Sequence, residues 1–136
     1  DLVFTSPPYF DTEKYSDDES QSYLLYPKLD LWLEHFLFKM LSGAWAVLKD
    51  GGVLAMNIHD IRKGNSFDRI CDPMNDFIDE YRDSNYLGCI GMEMAARPNS
   101  IGAGTGVVSG ETNRLPGMIK ETKGKFCEPV CIWEKK

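Results

Sequence analysis

Leu29, Leu33, Phe36, Leu37, Met40, Leu41, Ala44 and Leu48 recur at spacings of three and four residues, the pattern of a helix with one apolar face. Lys49-Asp50-Gly51-Gly52 closes the run, where a glycine can take the left-handed cap. Val53-Leu54-Ala55-Met56-Asn57-Ile58 follows with almost no alternation, which predicts a strand covered on both faces, as in the centre of a parallel sheet. Ahead of the helix, Leu2-Val3-Phe4-Thr5 reads as a short buried strand that stops at Ser6-Pro7-Pro8, and Pro27 suits the first turn of the helix. Strand, helix and strand in that order define an α/β chain.

The same reading extends to the rest of the sequence. Phe67, Ile70, Met74, Phe77, Ile78 and Tyr81 predict a second amphipathic helix over Phe67–Tyr81, with Pro73 in its first turn or kinking it. Tyr86–Met94 and Lys125–Trp133 read as two further strands, and Pro129 places the last one at an edge or bulge, not in the middle of a sheet. Asp11–Ser22 is acidic and polar and predicts a mobile loop beside the site. Residues 97–124 form a long loop rich in Gly, Ser, Asn and Thr, beyond the length at which a structureless connection is ordinary. Gly102-Ala103-Gly104-Thr105-Gly106 within it mimics a nucleotide-binding loop, yet neither a strand before it nor a helical period after it supports that use.

At 136 residues and 43% hydrophobic, the chain fits one domain, and no apolar run approaches the roughly 20 residues of a membrane helix. Cys71, Cys89, Cys127 and Cys131 have no Cys-x-x-Cys spacing and no ligand pattern with His35 or His59. They read as reduced thiols of a cytoplasmic protein with no metal, Cys127 and Cys131 sharing one strand face. Residues 1–96 hold 8 Lys and Arg against 17 Asp and Glu, a net of −9, whereas residues 97–136 hold 7 against 4, a net of +3. Arg97, Arg114, Lys120, Lys123 and Lys125 are therefore the side chains to set against a phosphate backbone, the alternative being a solvated loop with scattered charge.

Ser6-Pro7-Pro8-Tyr9 carries the chemistry. A rigid loop at the carboxyl end of a strand is where open α/β sheets bind ligands. An exocyclic amine is a weak nucleophile because its lone pair is delocalised, so a catalyst must favour the pyramidal nitrogen of the transition state. The Ser6 hydroxyl and the Pro7 carbonyl can accept the amino hydrogens, while Pro7 and Pro8 fix φ and remove competing donors. Tyr9 supplies an aromatic face for a base turned out of its stack, worth roughly 1–3 kcal/mol. As a bare tetrapeptide, Ser-Pro-Pro-Tyr could equally be a turn.

The segment from Asp1 to Tyr9 closely resembles the catalytic motif of the DNA amino-methyltransferases, which methylate cytosine N4 or adenine N6 with S-adenosylmethionine. The Leu48-Lys49-Asp50-Gly51-Gly52 turn and the strand after it resemble the segment that follows that motif, and the terminal strand pair resembles the family's antiparallel sheet edge. The resemblance implies a partial Rossmann-like sheet, mostly parallel with an antiparallel terminal strand pair. It implies catalytic Ser6, Pro7, Pro8 and Tyr9, with Asp1, Thr5 and Ser6 nearest the cofactor. It implies DNA as partner, serine at the first position leaning toward cytosine. No Pro-Cys pair occurs, which excludes the covalent cysteine route to carbon 5. Asn57, His59 and Asp60 would fall beside the catalytic loop, His59 contacting substrate or cofactor, or serving only as a strand-end histidine.

The family's cofactor half, with its aromatic-x-Gly-x-Gly loop, is not visible. Residues 1–136 therefore read as a catalytic half-domain, with the missing cofactor-binding segment or a homo-oligomer as expected partner. Two alternatives stand beside this. The substrate could be RNA or a protein glutamine, where Asn is the usual first motif residue, or the chain could be a non-catalytic remnant acting as an oligomeric interaction module. On the sequence alone, removing Tyr9 or changing Pro7 should abolish methylation in a complete version of the enzyme with folding nearly intact.

Overall fold

In a computed structural model, which describes residues 1–63, 66–93 and 127–136, the chain is a mixed α/β fold around a four-stranded sheet. Leu2–Thr5 forms β1, Ser22–Leu25 α1 and Leu29–Trp32 α2, which runs on through a π-helical turn, Leu33–Leu37, into α3, Phe38–Val47. Val53–Asn57 is β2, Ile61–Lys63 and Ser66–Asp68 form a small antiparallel pair, β3 and β4, and Cys71–Asp79 is α4. Ser84–Glu93 is β5 and Cys127–Lys135 is β6. The sheet order is β1-β2-β6-β5.

β1 and β2 are parallel, as two strands joined by a helical crossover must be to return to the same sheet end. β6 is antiparallel to both β2 and β5, so the sheet is mixed, with one parallel and two antiparallel ladders among the described residues, rather than mostly parallel. The expected antiparallel terminal pair is present. β6 itself, however, lies between β2 and β5, so Pro129 is in an interior strand and not at the edge its residue type predicts. The physical reason is local. β2 ends with Asn57 opposite Val130, one residue short of Pro129, so on that flank the proline has no ladder partner to lose.

Directly opposed residues share a face, which divides the sheet cleanly. Leu54, Met56, Cys131 and Trp133 point into one core with Trp32, Leu33, Leu37, Leu41 and Trp45 from the helical run and Ile70, Met74 and Ile78 from α4. The helical period therefore names its buried face correctly and misses only the tryptophans on its flanks. The opposite face carries Leu2, Phe4, Ile90 and Met92, between 36% and 64% exposed. β1 is thus half-exposed and not buried, and among the described residues it pairs with β2 alone.

Several boundaries differ from the sequence reading: β5 starts at Ser84, and β6 runs on to Lys135. Lys28, not Pro27, is the N-cap residue of α2. Phe67 lies in β4, and the second helix starts only at Cys71, with Pro73 in its first turn as expected, and ends before Tyr81. The apolar period of that segment is helical only from Ile70 onward, because Asp60 supplies the cap there. Its Oδ1 accepts from the backbone N–H groups of Ile70 and Cys71 at 2.7 and 2.8 Å.

The glycine pair after α3 is required for two separate reasons. Gly51 has φ +74°, and its N–H donates to the Lys135 carbonyl at 2.6 Å. A Cβ on Gly52 would lie 2.7 Å from the Lys49 carbonyl oxygen and 3.0 Å from a Leu48 methyl. Gly51→Ala is expected to cost about 1 kcal/mol of left-handed strain. Gly52→Ala should cost more, about 1–3 kcal/mol, because backbone must move. Urea unfolding of the two variants checks the order, and an equal loss would mean that the turn shifts freely.

Candidate active site

The parallel β1 and β2 end at the same side of the sheet, and antiparallel β6 begins there. Three segments therefore meet at one point: the Ser6–Phe10 loop after β1, the residues following Asn57, and Glu128 near the start of β6. Asn57 ties two of them, its Nδ2 donating to the Pro129 carbonyl at 3.2 Å. Glu128 shares the sheet face of Met92 and Val130, the face without the main core, and is nevertheless 8% exposed.

The loop is held tightly. Ser6 is exposed, Pro7 is buried and Pro8 is half-buried. Tyr9 and Phe10 are buried at 6% and 5% exposure. The Tyr9 carbonyl accepts from the Thr12 N–H at 2.8 Å, and the Tyr9 N–H donates to Glu13 Oε2 at 3.1 Å. Phe10 sits at φ +24°, a conformation that costs an L-residue about 1–3 kcal/mol and persists only where surrounding contacts enforce it. Its ring packs 5.6 Å from Trp32. Asp11–Ser22 is a self-bonded loop: Gln21 Nε2 donates to the Ser16 carbonyl, Gln21 Oε1 accepts from the Tyr15 N–H, and Ser20 donates to an Asp18 carboxylate held below its usual range by those bonds. Through Glu13 and the Asp11–Lys63 ion pair at 2.6 Å it borders the site, as expected.

At the centre, the Tyr9 hydroxyl donates to Glu128 Oε2 at 3.3 Å, and the Tyr9 ring meets the His59 ring edge-to-face at 4.6 Å. His59 Nε2 lies 4.0 Å from Glu128 Oε1, while its Nδ1 is 2.6 Å from the Asp60 carbonyl. Burial, then the charge of Glu128, push the Tyr9 phenol far above its ordinary value, against a smaller opposing effect of its hydrogen bond with Ser6. The phenol therefore stays protonated in the fold. Above about pH 10 the unfolded chain loses this proton and the folded one keeps it, so stability falls with rising pH by up to about 1.4 kcal/mol per pH unit. Urea unfolding between pH 9 and 11 should show this slope reduced in Tyr9→Phe; an identical slope would mean that the phenol is solvated.

The expected site residues divide into three groups. Ser6, Pro7, Pro8, Tyr9 and His59 come together at one sheet end, with Thr5 half-buried behind them. Asp1 does not join them. It lies at the opposite end of β1, about 16 Å away along the strand, where its carboxylate pairs with Lys49 at 3.1 Å. Arg97, Arg114, Lys120, Lys123 and Lys125, and the glycine cluster at 102–106, lie outside the described residues. Glu128 is the residue that sequence reasoning missed. Its signal was an acidic residue set directly before the apolar run Pro129–Trp133, where burial is costly unless partners await it.

The described residues include no group of three or more His, Cys, Asp or Glu placed to hold a metal. Cys71, Cys89 and Cys131 are free thiols. Burial raises the Cys71 thiol well above its usual range, and a hydrogen bond with Cys131 followed by burial does so for Cys89, which disfavours the thiolate at both positions. No helix among the described residues is long and apolar enough to cross a membrane. Comparison of the chain with protein-family models, with curated proteins and with solved structures found no match.

Proposed function

We propose that this chain is the catalytic half of an S-adenosylmethionine-dependent amino-methyltransferase acting on DNA, cytosine N4 before adenine N6. The observation that carries the reading is the convergence of Ser6-Pro7-Pro8-Tyr9 with His59 and Glu128 at the carboxyl ends of two parallel strands. Ligands of open α/β sheets bind at such ends. The parallel pair with its crossover helix and the antiparallel terminal pair are also what a partial Rossmann-like methyltransferase sheet would contain.

In this reading Ser6, exposed at the mouth, accepts from the amine together with the Pro7 carbonyl, and the buried Pro-Pro unit fixes that geometry in advance. Tyr9 is nearly fully buried, so a flipped base reaches its face only when a neighbouring group moves aside, and its hydroxyl anchors the ring through Glu128. S-Adenosylmethionine supplies the methyl group. The Glu128 carboxylate and the Tyr9 ring would suit its cationic sulfonium end, with Thr5 and Ser6 at the same end of β1. Asp1, at the far end of β1, would not reach its ribose from there.

One observation favours a second reading, an interaction module closed by self-association. Leu2 and Phe4 of β1 and Ile90 and Met92 of β5 are exposed on one sheet face, and among the described residues β1 pairs with β2 alone. Calorimetric titration of the chain with S-adenosylmethionine separates the two. Binding followed by methyl transfer to a cytosine-containing oligonucleotide is the expected result for the enzyme. A stable dimer without cofactor affinity would favour the module.

A further inference from the structure

The Asp60 carbonyl oxygen can only accept, so its 2.6 Å contact assigns a proton to His59 Nδ1. In the neutral imidazole Nε2 is then a bare lone pair, and what it faces is another acceptor, Glu128 Oε1, 4.0 Å away. The second carboxylate oxygen is engaged by the Tyr9 hydroxyl. Two acceptors opposed at that separation, with side chains only 18% and 10% exposed, have no favourable direct interaction. A proton on Nε2 converts the arrangement into an ion pair, and both atoms border the Ser6–Tyr9 loop.

We infer that His59 and Glu128 act together as the acceptor for the proton that the methylated amine must lose. The inference rests on the amino-methyltransferase reading. As the nitrogen lone pair forms the new N–C bond, the donor's C–S bond breaks and its electrons remain on sulfur. The nitrogen then carries one proton and one positive charge too many. Neither the Ser6 hydroxyl nor the Pro7 carbonyl is basic enough to keep that proton. Nε2 takes it, the N–H electron pair returns to nitrogen, and the imidazolium is balanced by Glu128 before the proton passes to solvent. Among the described residues, the other ionisable groups around the imidazole are Tyr9, whose own backbone N–H is held by Glu13, and Asp60, whose carboxylate is turned toward the start of α4 and toward Arg69 at 3.5 Å.

The test combines NMR of the imidazole nitrogens with single-turnover transfer from S-adenosylmethionine to a cytosine-containing oligonucleotide over a range of pH, using the full chain. NMR should find the proton of the neutral His59 ring on Nδ1, and a ring protonated at Nε2 instead overturns the pair whatever the activity. His59→Gln should slow transfer on the order of 100-fold and flatten its pH profile, whereas a purely structural role would leave the shape of that profile unchanged. Glu128→Gln should also slow transfer, and the double variant should lose little more than the larger of the two single losses, as residues acting as a unit do. Losses that multiply overturn the pair. Unchanged transfer by His59→Gln overturns it with the methyltransferase reading intact, and absence of transfer by the wild-type chain removes both. Glu128→Asp, which draws the carboxylate back from Nε2, takes the place of Glu128→Gln in this comparison if that variant does not fold.

Discussion

Tyr9→Ala is expected to abolish methyl transfer and, contrary to what the sequence suggests, to destabilise the fold by about 3–5 kcal/mol. The motif position alone makes Tyr9 look like a surface platform. In the structure it is 6% exposed and belongs to the same core cluster as Phe10 and Trp32, with its hydroxyl on Glu128 and its ring on His59. Such a loss is a large part of the 5–15 kcal/mol that holds a typical domain together. Tyr9→Phe separates the two roles. It keeps the ring and removes only the hydroxyl, costing about 1–2 kcal/mol through the unpaired Glu128 oxygen. Urea unfolding alongside a transfer assay reads both quantities. A Tyr9→Ala protein with wild-type stability would contradict the burial, and one with wild-type transfer would sink the catalytic assignment.

Asp60→Ala should destabilise the chain by about 3 kcal/mol or more, without touching the apolar core. Asp60 is 1% exposed, and its Oδ1 accepts from the Ile70 and Cys71 N–H groups. Ile70, the N-cap residue of α4, has no side-chain acceptor of its own to offer, so the capping oxygen is borrowed from ten residues earlier. Truncation leaves two buried donors unpaired and removes a negative charge from the helix N-terminus. Asp60→Asn can retain the acceptor and should lose markedly less. Hydrogen exchange at Ile70 and Cys71, measured with urea unfolding, checks the mechanism. Global destabilisation without faster exchange at those two amides would place the loss elsewhere.

Asp60 and Glu128 show why part of this site was not legible. Each is a buried acid whose partners lie outside its own segment: Ile70 and Cys71 in the next helix for one, Tyr9 and His59 far earlier in the chain for the other. Nothing in the residues next to Glu128 says that Tyr9 will be across from it. Ser6-Pro7-Pro8-Tyr9 was legible because its message is local. Two prolines fix the backbone, and the apolar run before them places the loop at a strand end. Pro129 misleads for the converse reason. A proline's residue type excludes a paired N–H, yet only the length of the neighbouring strand decides whether pairing is asked of it.

The sequence by itself determined what periodicity and turn chemistry encode: the helical run through residue 47, the Gly51-Gly52 turn, β1 and β2 with their parallel relation, and a rigid loop after β1. Apart from the parallel relation, which the helical crossover imposes, those features depend on residues within a few positions of one another. Only the tertiary structure decided that β6 inserts between β2 and β5, that Tyr9 is buried, that Asp1 is remote, and that Glu128 and His59 face one another. The strand insertion and the meeting of Glu128 with His59 are pairings between segments far apart in the chain. Such pairings are selected by the summed burial of both partners, a quantity that neither segment carries alone.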